Sequence, residues 1–402
     1  MRAPPLAALA AAALSLIPAA NVEAQSRLVS PWVASTAPTY ERWWFTSLLS
    51  TDSFVLSRVE QTTVPLAVSF NPTSAWRVDL SASYSRSRVR TVDPDGGAES
   101  VLALDGFTDA RVRAVGRLLA ERLWVTLGVD LPIGLTGLSA EEALAVRVLG
   151  APALRMRTPV LGSGTGVTAG ALYALPLGAW AVAAGASWEM RGTYTPLDLA
   201  LVDGGRVEAE LNPGEVLHFT LGLDRIAGQG RVSILLAADT YSEDLVTVRS
   251  TETGPDTHST YRLGPTYGAS VEYRGRVLGS ADLRLSVQGR HRSEFSDDDG
   301  RSVAGSSGSM VDAGLSLRLG RPRGFGVLVG LGGAFDSGLE VDPSLATAAM
   351  TSGAVTVGIG IPAGRWSLQP YARIRAGTLD LGPTSTGARG LTVGLTLSNG
   401  AS

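Results

Sequence analysis

Cysteine is absent from the 402-residue chain, and so is lysine: all 34 basic residues are arginine. A chain without thiols has neither disulfides nor thiolate metal sites. The exclusive use of arginine fits a GC-rich coding composition more simply than a binding role. With a formal net charge of -3 there is no basic surface for nucleic acid. Beyond the first 25 residues no apolar run is long enough to be a membrane-spanning helix, which needs about 18 or more. Mean hydropathy is nevertheless positive, at +0.16. The apolar residues must therefore be interleaved with polar ones rather than gathered in blocks.

What is present begins with MRAPPLAALAAAALSLIPAANVEAQ. One arginine, a short apolar stretch from Leu6 to Ile17 and small residues before Gln25 have the layout of a secretory signal peptide. The expected division is a leader over 1–24, an N-terminal periplasmic segment over 25–38, and one body over 39–402. No linker, charge block or shift in composition divides that body.

The interleaving is period two. In "RLWVTLGVDLP" (122–132), Leu123, Val125, Leu127, Val129 and Leu131 alternate with Trp124, Thr126, Gly128 and Asp130. In "AWRVDLSASYSRSRVR", Trp76, Val78, Leu80, Ala82 and Tyr84 share a face, continued by Arg86, Arg88 and Arg90. Trp180, Val182, Ala184, Ala186, Trp188 and Met190 do the same later, as do Leu283, Leu285 and Val287, and finally Leu391, Val393, Leu395 and Leu397. Such strands have two unlike faces. The runs reach the roughly 9–11 residues of a tilted membrane strand, and Trp or Tyr often brackets the apolar part. Lipid leaves no partner for an open sheet edge, so the sheet has to close. The expected fold is all-β: a transmembrane outer-membrane antiparallel barrel whose apolar face meets lipid.

Short connections are expected at 71–74, 120–121, 177–178, 227–230, 278–279, 322–324 and 363–364. Longer polar ones are expected at 92–104, 135–164, 197–210, 250–258, 296–306, 342–348 and 381–387. Short periplasmic turns against longer external loops are the asymmetry of outer-membrane barrels. Fifteen strands stand out from 54–70 onward, and "TYERWWFTSLL" (39–49) supplies a sixteenth; merging one pair gives 14. Within the longest loop, "LSAEEALAVRVLG" (138–150) reads as a short helix capped by Ser139, with Glu141 and Glu142 in its first turn and Gly150 at its end. A helix folded into the pore and one packed on the rim are both consistent with that position. Pro65, Pro265 and Pro370 interrupt strand patterns, and each deletes a ladder hydrogen bond.

From "DGFTDARVRAVGRLL" through "LWVTLGVDLPIGLTGLS" to "GTGVTAGALYALPLGAWAVAAGASWEMRGTYTP", about residues 105–196, the chain resembles the outer-membrane channel proteins associated with the meta-pathway of phenol degradation. The likeness lies in a Gly- and Asp-rich strand start, a strand closing on Leu-Pro and then Gly, a long loop and a Gly-rich return strand. Ile133 stands where those proteins usually have Thr. The resemblance implies an outer-membrane transport channel; it carries no catalytic motif.

Catalytic and metal chemistry find little footing. His218, His258 and His291 show no metal-ligand spacing. His218 and His291 fall in expected strands and His258 in a loop. There is no Gly-x-Ser-x-Gly elbow. "GSGTGVTAG" (162–170) lacks the Lys-Ser/Thr of a phosphate loop and precedes a strand. "SDDDG" (296–300) reads as a solvated loop tip rather than a calcium ligand set. The polar faces carry the remaining signal. Arg77, Asp79, Arg111, Arg113, Asp130, Glu189, Arg191, Arg274, Asp282, Arg284, Gln288, Arg290, Arg292, Arg373 and Arg375 are the expected pore-lining set. Rings of charge tune which ions pass, and here arginine outnumbers acid. The expected function is a porin-like channel for passive uptake of small polar or mildly amphipathic solutes, with no cofactor and no enzyme activity. Its expected surroundings are outer-membrane lipid and small-molecule solutes, with no nucleic acid. The competing classes are a structural or adhesive barrel and a barrel-embedded lipid hydrolase.

Overall fold

The computed structural model describes residues 32–399 apart from 51–54, 93–98, 152–153, 157–161, 163, 201–204, 251–254, 278–280, 321–323, 339–348 and 381–384. The expected leader, the first half of the expected periplasmic segment, and the connections at 278–279 and 342–348 lie outside the described residues.

The first part of the chain forms β1 (Trp32–Thr36), β2 (Thr39–Ser50), β3 (Val55–Phe70), β4 (Trp76–Val92), β5 (Glu99–Phe107), β6 (Ala110–Leu118) and β7 (Leu123–Leu131). A helix, α1 (Ala140–Leu149), precedes β8 (Gly166–Leu177), β9 (Trp180–Arg191), β10 (Tyr194–Ala200), β11 (Arg206–Asn212), β12 (Val216–Ala227) and β13 (Gly230–Tyr241). Then come β14 (Asp244–Ser250), β15 (Thr257–Tyr261), β16 (Thr266–Val277), β17 (Ala281–Arg292) and β18 (Gly308–Gly320). The chain closes with β19 (Gly326–Ser337), β20 (Ala349–Ala363), β21 (Trp366–Asp380) and β22 (Ser385–Ser398).

Each strand of the main sheet pairs antiparallel with its neighbour, and β22 pairs back onto β1 and β2. β1 and β2 occupy one wall position, since both pair with β3. β5 and β6 share another, one above the other on β4. The result is a closed 16-stranded antiparallel barrel. Closure satisfies every edge, which an apolar solvent demands. The wall already begins at Trp32, ahead of the expected start at residue 39, because β1 pairs with Leu66–Phe70 of β3. Pro65 falls opposite the break between β1 and β2, where the ladder is interrupted in any case, and Thr36 Oγ1 donates to its carbonyl at 2.6 Å.

The register sorts the side chains. Leu285, Val287, Val311, Leu315, Leu331, Val355, Val357 and Ile374 are all exposed on the outward face. Leu127, Val129 and Leu131 of the 122–132 run are exposed on that face too. A belt of this extent is not the surface of a soluble monomer; it suits hydrocarbon. At the short-turn end, Trp32 stacks on Phe70 with ring centroids 4.4 Å apart, and Arg225 lies 4.8 Å over the Trp180 ring. Near the opposite rim Tyr84 meets Phe107, and above them the outward face turns charged, with Arg42 and Arg58 both on Glu60.

Turns are short at one end only. Gly178, Gly228 and Gly364 supply the positive φ of two-residue turns. The β6–β7 turn has no glycine: Leu119, Ala120 and Glu121 take φ of 50°, 51° and 67° instead. The other end is more structured than the sequence suggests. Residues 197–210 and 250–258, expected as loops, contribute to a second, four-stranded sheet in the order β10-β11-β14-β15. It continues β9, β12, β13 and β16 beyond short breaks, so hydrophobic alternation simply carries on past the belt. His258, expected in a loop, pairs opposite Thr247 in that sheet. The 92–104 connection is likewise shorter than expected, because β5 begins at Glu99.

Candidate functional site

Helix α1 forms as its sequence dictates. Ser139 accepts from the Glu142 amide while Glu142 returns a bond to the Ser139 amide, a reciprocal cap, and Gly150 ends it. Its Ala145, Val148 and Leu149 are buried in one cluster with Trp43 of β2, Leu56 and Val59 of β3, Val89 of β4, Leu102 and Leu104 of β5, Met350 of β20, Leu379 of β21 and Ala388 of β22. These wall residues lie on the face opposite the exposed apolar belt. The Trp43 ring can lie along the wall because Gly390, directly across, has no side chain.

The same loop then crosses to the far wall. Trp43 Nε1 donates to the Leu154 carbonyl at 2.8 Å. Arg155, in a left-handed backbone at φ 52°, donates to both oxygens of Asp336 on β19 at 3.0 and 2.9 Å and also pairs with Asp312 on β18. One loop that packs on β4 and β5 and is tied to β18 and β19 runs through the barrel interior. Of the two positions the sequence left open for it, the interior one is what the structure has. A non-glycine residue held at positive φ marks a place where tertiary contacts override local preference; here the contacts are two carboxylates, one of them, Asp336, 1% exposed.

The fifteen residues expected on the polar face share the inward register, and most meet partners. Arg111 grips Asp130 through two bonds of 2.6 and 3.1 Å. Arg77 lies 3.0 Å from Asp79, which also accepts from Ser69 at 2.6 Å. Arg113 stands opposite Asp79 in the β4–β6 register. Arg274 pairs with Glu272, and Arg284 reaches the same carboxylate at 2.8 Å. Asp282 lies 3.7 Å from Arg276. Gln288 donates to Asp312 at 3.1 Å, beside the Arg155 anchor. Arg290 comes within 3.8 Å of Asp239. Arg373 donates to Thr356 at 3.0 Å. Near the long-loop rim, Arg292 donates to the Ser306 carbonyl at 3.2 Å.

Glu189 and Arg191 help form a network at the base of the second sheet. His218 sits between Asp239, at 2.8 Å, and Glu189, at 3.6 Å. Arg191 donates to the Gly214 carbonyl at 3.0 Å and lies 3.5 Å from the buried Asp244. Beyond the barrel, burial pushes the Tyr194 and Tyr261 phenols above their ordinary range, and the neighbouring Asp244 adds to the shift.

At the short-turn end Arg231, Arg274 and Arg284 face one another in a single row across β13, β16 and β17. Like charges opposed across a sheet repel. The row persists because Asp224, which pairs with Arg231, and Glu272 interleave with it.

Arg155, Asp336, Trp43 and Glu41 were not among the sequence candidates. Arg155 belongs to a loop without periodicity. Asp336 follows "GVLVGLGGAF", which is apolar or small on both faces and hides its orientation. Asp312 alternates with apolar neighbours in "MVDAGLSL" and was legible by parity. Among the described residues no group of three or more His, Asp or Glu side chains is arranged to hold a metal ion.

No family model matches the chain, and no curated protein matches it. Solved structures of similar shape include Pseudomonas putida OprB at high pH, 10% identical with TM-score 0.47, covering 92% of this chain and 94% of that one. The Pseudomonas putida toluene transporter TodX is 6% identical with TM-score 0.40, covering 92% and 89%. Pseudomonas aeruginosa OccK1 is 11% identical with TM-score 0.41, covering 91% and 98%.

Proposed function

We propose that the chain is an outer-membrane barrel giving small polar or mildly amphipathic solutes a passive aqueous route, narrowed on one side by α1 and the segment at Leu154 and Arg155. The observation that carries this reading is the division of side chains: a continuous apolar belt outside and a wall of arginine and carboxylate pairs inside. A purely structural barrel has no need to keep charges such as Arg284, Arg290 and Arg373 on an inward face. On this reading the fifteen inward residues named above line the passage.

Single-channel conductance of the purified protein in planar bilayers tests it. Replacing Arg284 and Arg290 by Glu is expected to move the reversal potential toward cation preference with the barrel still folded, because lumen residues tune selectivity. Absence of conductance, with the loop intact or deleted, would instead favour the structural or adhesive class. The hydrolase reading rests on one pair: His291 Nδ1 lies 2.9 Å from Ser309 Oγ on the outward face near the long-loop rim. Phospholipid hydrolysis lost in Ser309→Ala would support it.

A further inference from the structure

The outward face near the long-loop rim carries a cluster of arginines in one sector, on β22, β2, β3 and β4. The register stacks them. Arg389, Arg58 and Arg90 fall in one row, with Trp44 between the first two. Arg42, Glu60 and Arg88 form the row beneath, and Arg86 lies beneath that. Glu60 is the one carboxylate in these rows, 3.1 Å from Arg42 and 3.2 Å from Arg58. On the β5 side Arg90 reaches Glu99 at 3.3 Å, while Asp105 accepts from the Tyr84 hydroxyl. Arg86, Arg88 and Arg389 are exposed and make no ion pair among the described residues. Arg58 and Arg90 stand directly opposite each other, and like charges so placed repel.

The height of the cluster decides what it meets. Arg86 stands ten residues above Trp76, the first residue of β4. That is about 33 Å of strand and, at a tilt of about 40°, about 25 Å of height, the full apolar band of such barrels. The guanidiniums therefore begin where acyl chains end and headgroups start. Ten residues from the short-turn ends of β9, β12 and β16 stand Met190, Leu217 and Tyr267 instead, all exposed. A rim at this level does not need arginine to be wet. Below the cluster Leu66, Leu80 and Val393 are exposed on the belt.

We propose that this sector is a docking site for a phosphorylated glycolipid of the outer leaflet, a diphosphorylated, acylated sugar of the lipid A type. Arginine forks take phosphate oxygens in pairs. From Arg389 to Arg90 the row crosses three strand spacings of about 4.8 Å, about 14 Å in all, which gives room for two phosphates on one headgroup. Bound phosphate also offsets the repulsion between Arg58 and Arg90. The acyl chains lie along Val393, Leu66 and Leu80. Trp44, with the Arg42 guanidinium 4.6 Å from its ring, sits at the level where aromatic side chains meet headgroups. The site belongs to the outer wall and holds whether or not the barrel conducts.

The test titrates the full purified protein in detergent with diphosphoryl lipid A, with the same lipid stripped of its phosphates, and with phosphatidylglycerol, and reads bound lipid by native mass spectrometry. Diphosphoryl lipid A is expected to bind about tenfold more tightly than either of the others. Replacing Arg86 and Arg88 together by Gln is expected to weaken it by about tenfold, as the loss of two interfacial cations should. Arg389→Gln weakens it less, and serves alone if heat-modifiable migration shows that the double variant does not fold. Arg225→Gln, an outward arginine at the short-turn end, is expected to change nothing. Equal binding with and without the phosphates, wild-type binding in the folded cluster variants, or an equal loss in Arg225→Gln overturns the proposal. Phosphatidylglycerol binding as tightly as diphosphoryl lipid A overturns it too, because the sector would then answer to negative charge of any kind.

Discussion

The inward face of the barrel has two unlike halves. From β20 through the closure to β5, its long-loop end is apolar and covered: Met350, Leu379, Ala388, Trp43, Leu56, Val59, Val89, Leu102 and Leu104 pack beneath α1. From β6 round to β17 most of it is charged, and its arginines meet carboxylates in the wall, as Arg111 meets Asp130 and Arg284 meets Glu272; the exception is a small buried apolar cluster of Val115, Trp124, Leu172, Ala174 and Ala183 at the short-turn end of β6–β9. The outward face makes no such distinction, because lipid presents the same solvent to every strand. An inward face is therefore free to specialise. Where the loop lands, the wall is built like a protein core; elsewhere, apart from the cluster around Trp124, it is built like a wet surface. Arg155 joins the two, leaving the covered half to reach Asp312 and Asp336 on β18 and β19.

The sharpest way to break this contrast is to remove the keystone of the covered half. Trp43→Ala deletes a ring that is 2% exposed together with its bond to the Leu154 carbonyl. Truncation of a large buried aromatic costs about 3–5 kcal/mol. The loss should fall on the loop rather than on the barrel, whose strands pair without it. Channel conductance is expected to rise, and amides of α1 to exchange faster, with heat-modifiable migration unchanged. If the conductance stays at its wild-type value while α1 is shown to have loosened, the covered half does not narrow the passage.

A second substitution compares outside with inside. Leu285 is exposed on the belt, and its neighbour Arg284 points inward to Glu272. Leu285→Arg places a charge in hydrocarbon and is expected to destabilise the barrel by about 2–4 kcal/mol near the bilayer midplane. Arg284→Leu removes a partly exposed ion pair and is expected to cost about 1 kcal/mol or less. Urea unfolding in lipid vesicles reads both. The opposite order of effects would reverse the two faces.

The outward face was legible because it obeys one rule over the whole chain, and period two in "LWVTLGVDL" or "ADLRLSVQ" states that rule directly. The inward charged half was legible by the same parity: Arg111 and Asp130 alternate with apolar neighbours and duly meet. The covered half was not. Trp43 sits in "ERWWFTSLL", where Trp44 beside it faces the other way, so bulk alone gave no orientation. Residues 197–210 misled for a related reason. Alternation continues there without lipid to face, so a polar stretch expected as a loop is paired as strand. Loop contacts such as Arg155 with Asp336, 181 residues apart, leave no local trace.

The smallest effect expected lies where neither half extends, in the sheet beyond the rim. Arg206 pairs with Asp198 across β11 and β10, and the bond holds the Asp198 carboxyl below the usual carboxylate range. A carboxylate lowered in the folded state stabilises the fold at pH values above its ordinary pKa. That contribution fades as pH falls through the lowered value. The pair is open to solvent, so salt screens it and its weight is slight. In wild type, amides of β10 and β11 are expected to lose some protection from hydrogen exchange on acidification below the ordinary carboxylate range. Arg206→Gln should show the weaker protection already at neutral pH, and a flatter response to acid. Strands β17 and β18, which share no residue with this pair, should respond identically in both proteins. If acid loosened β10 and β11 equally with and without Arg206, the sheet would be answering to the Asp244 network at its base rather than to its own surface charges.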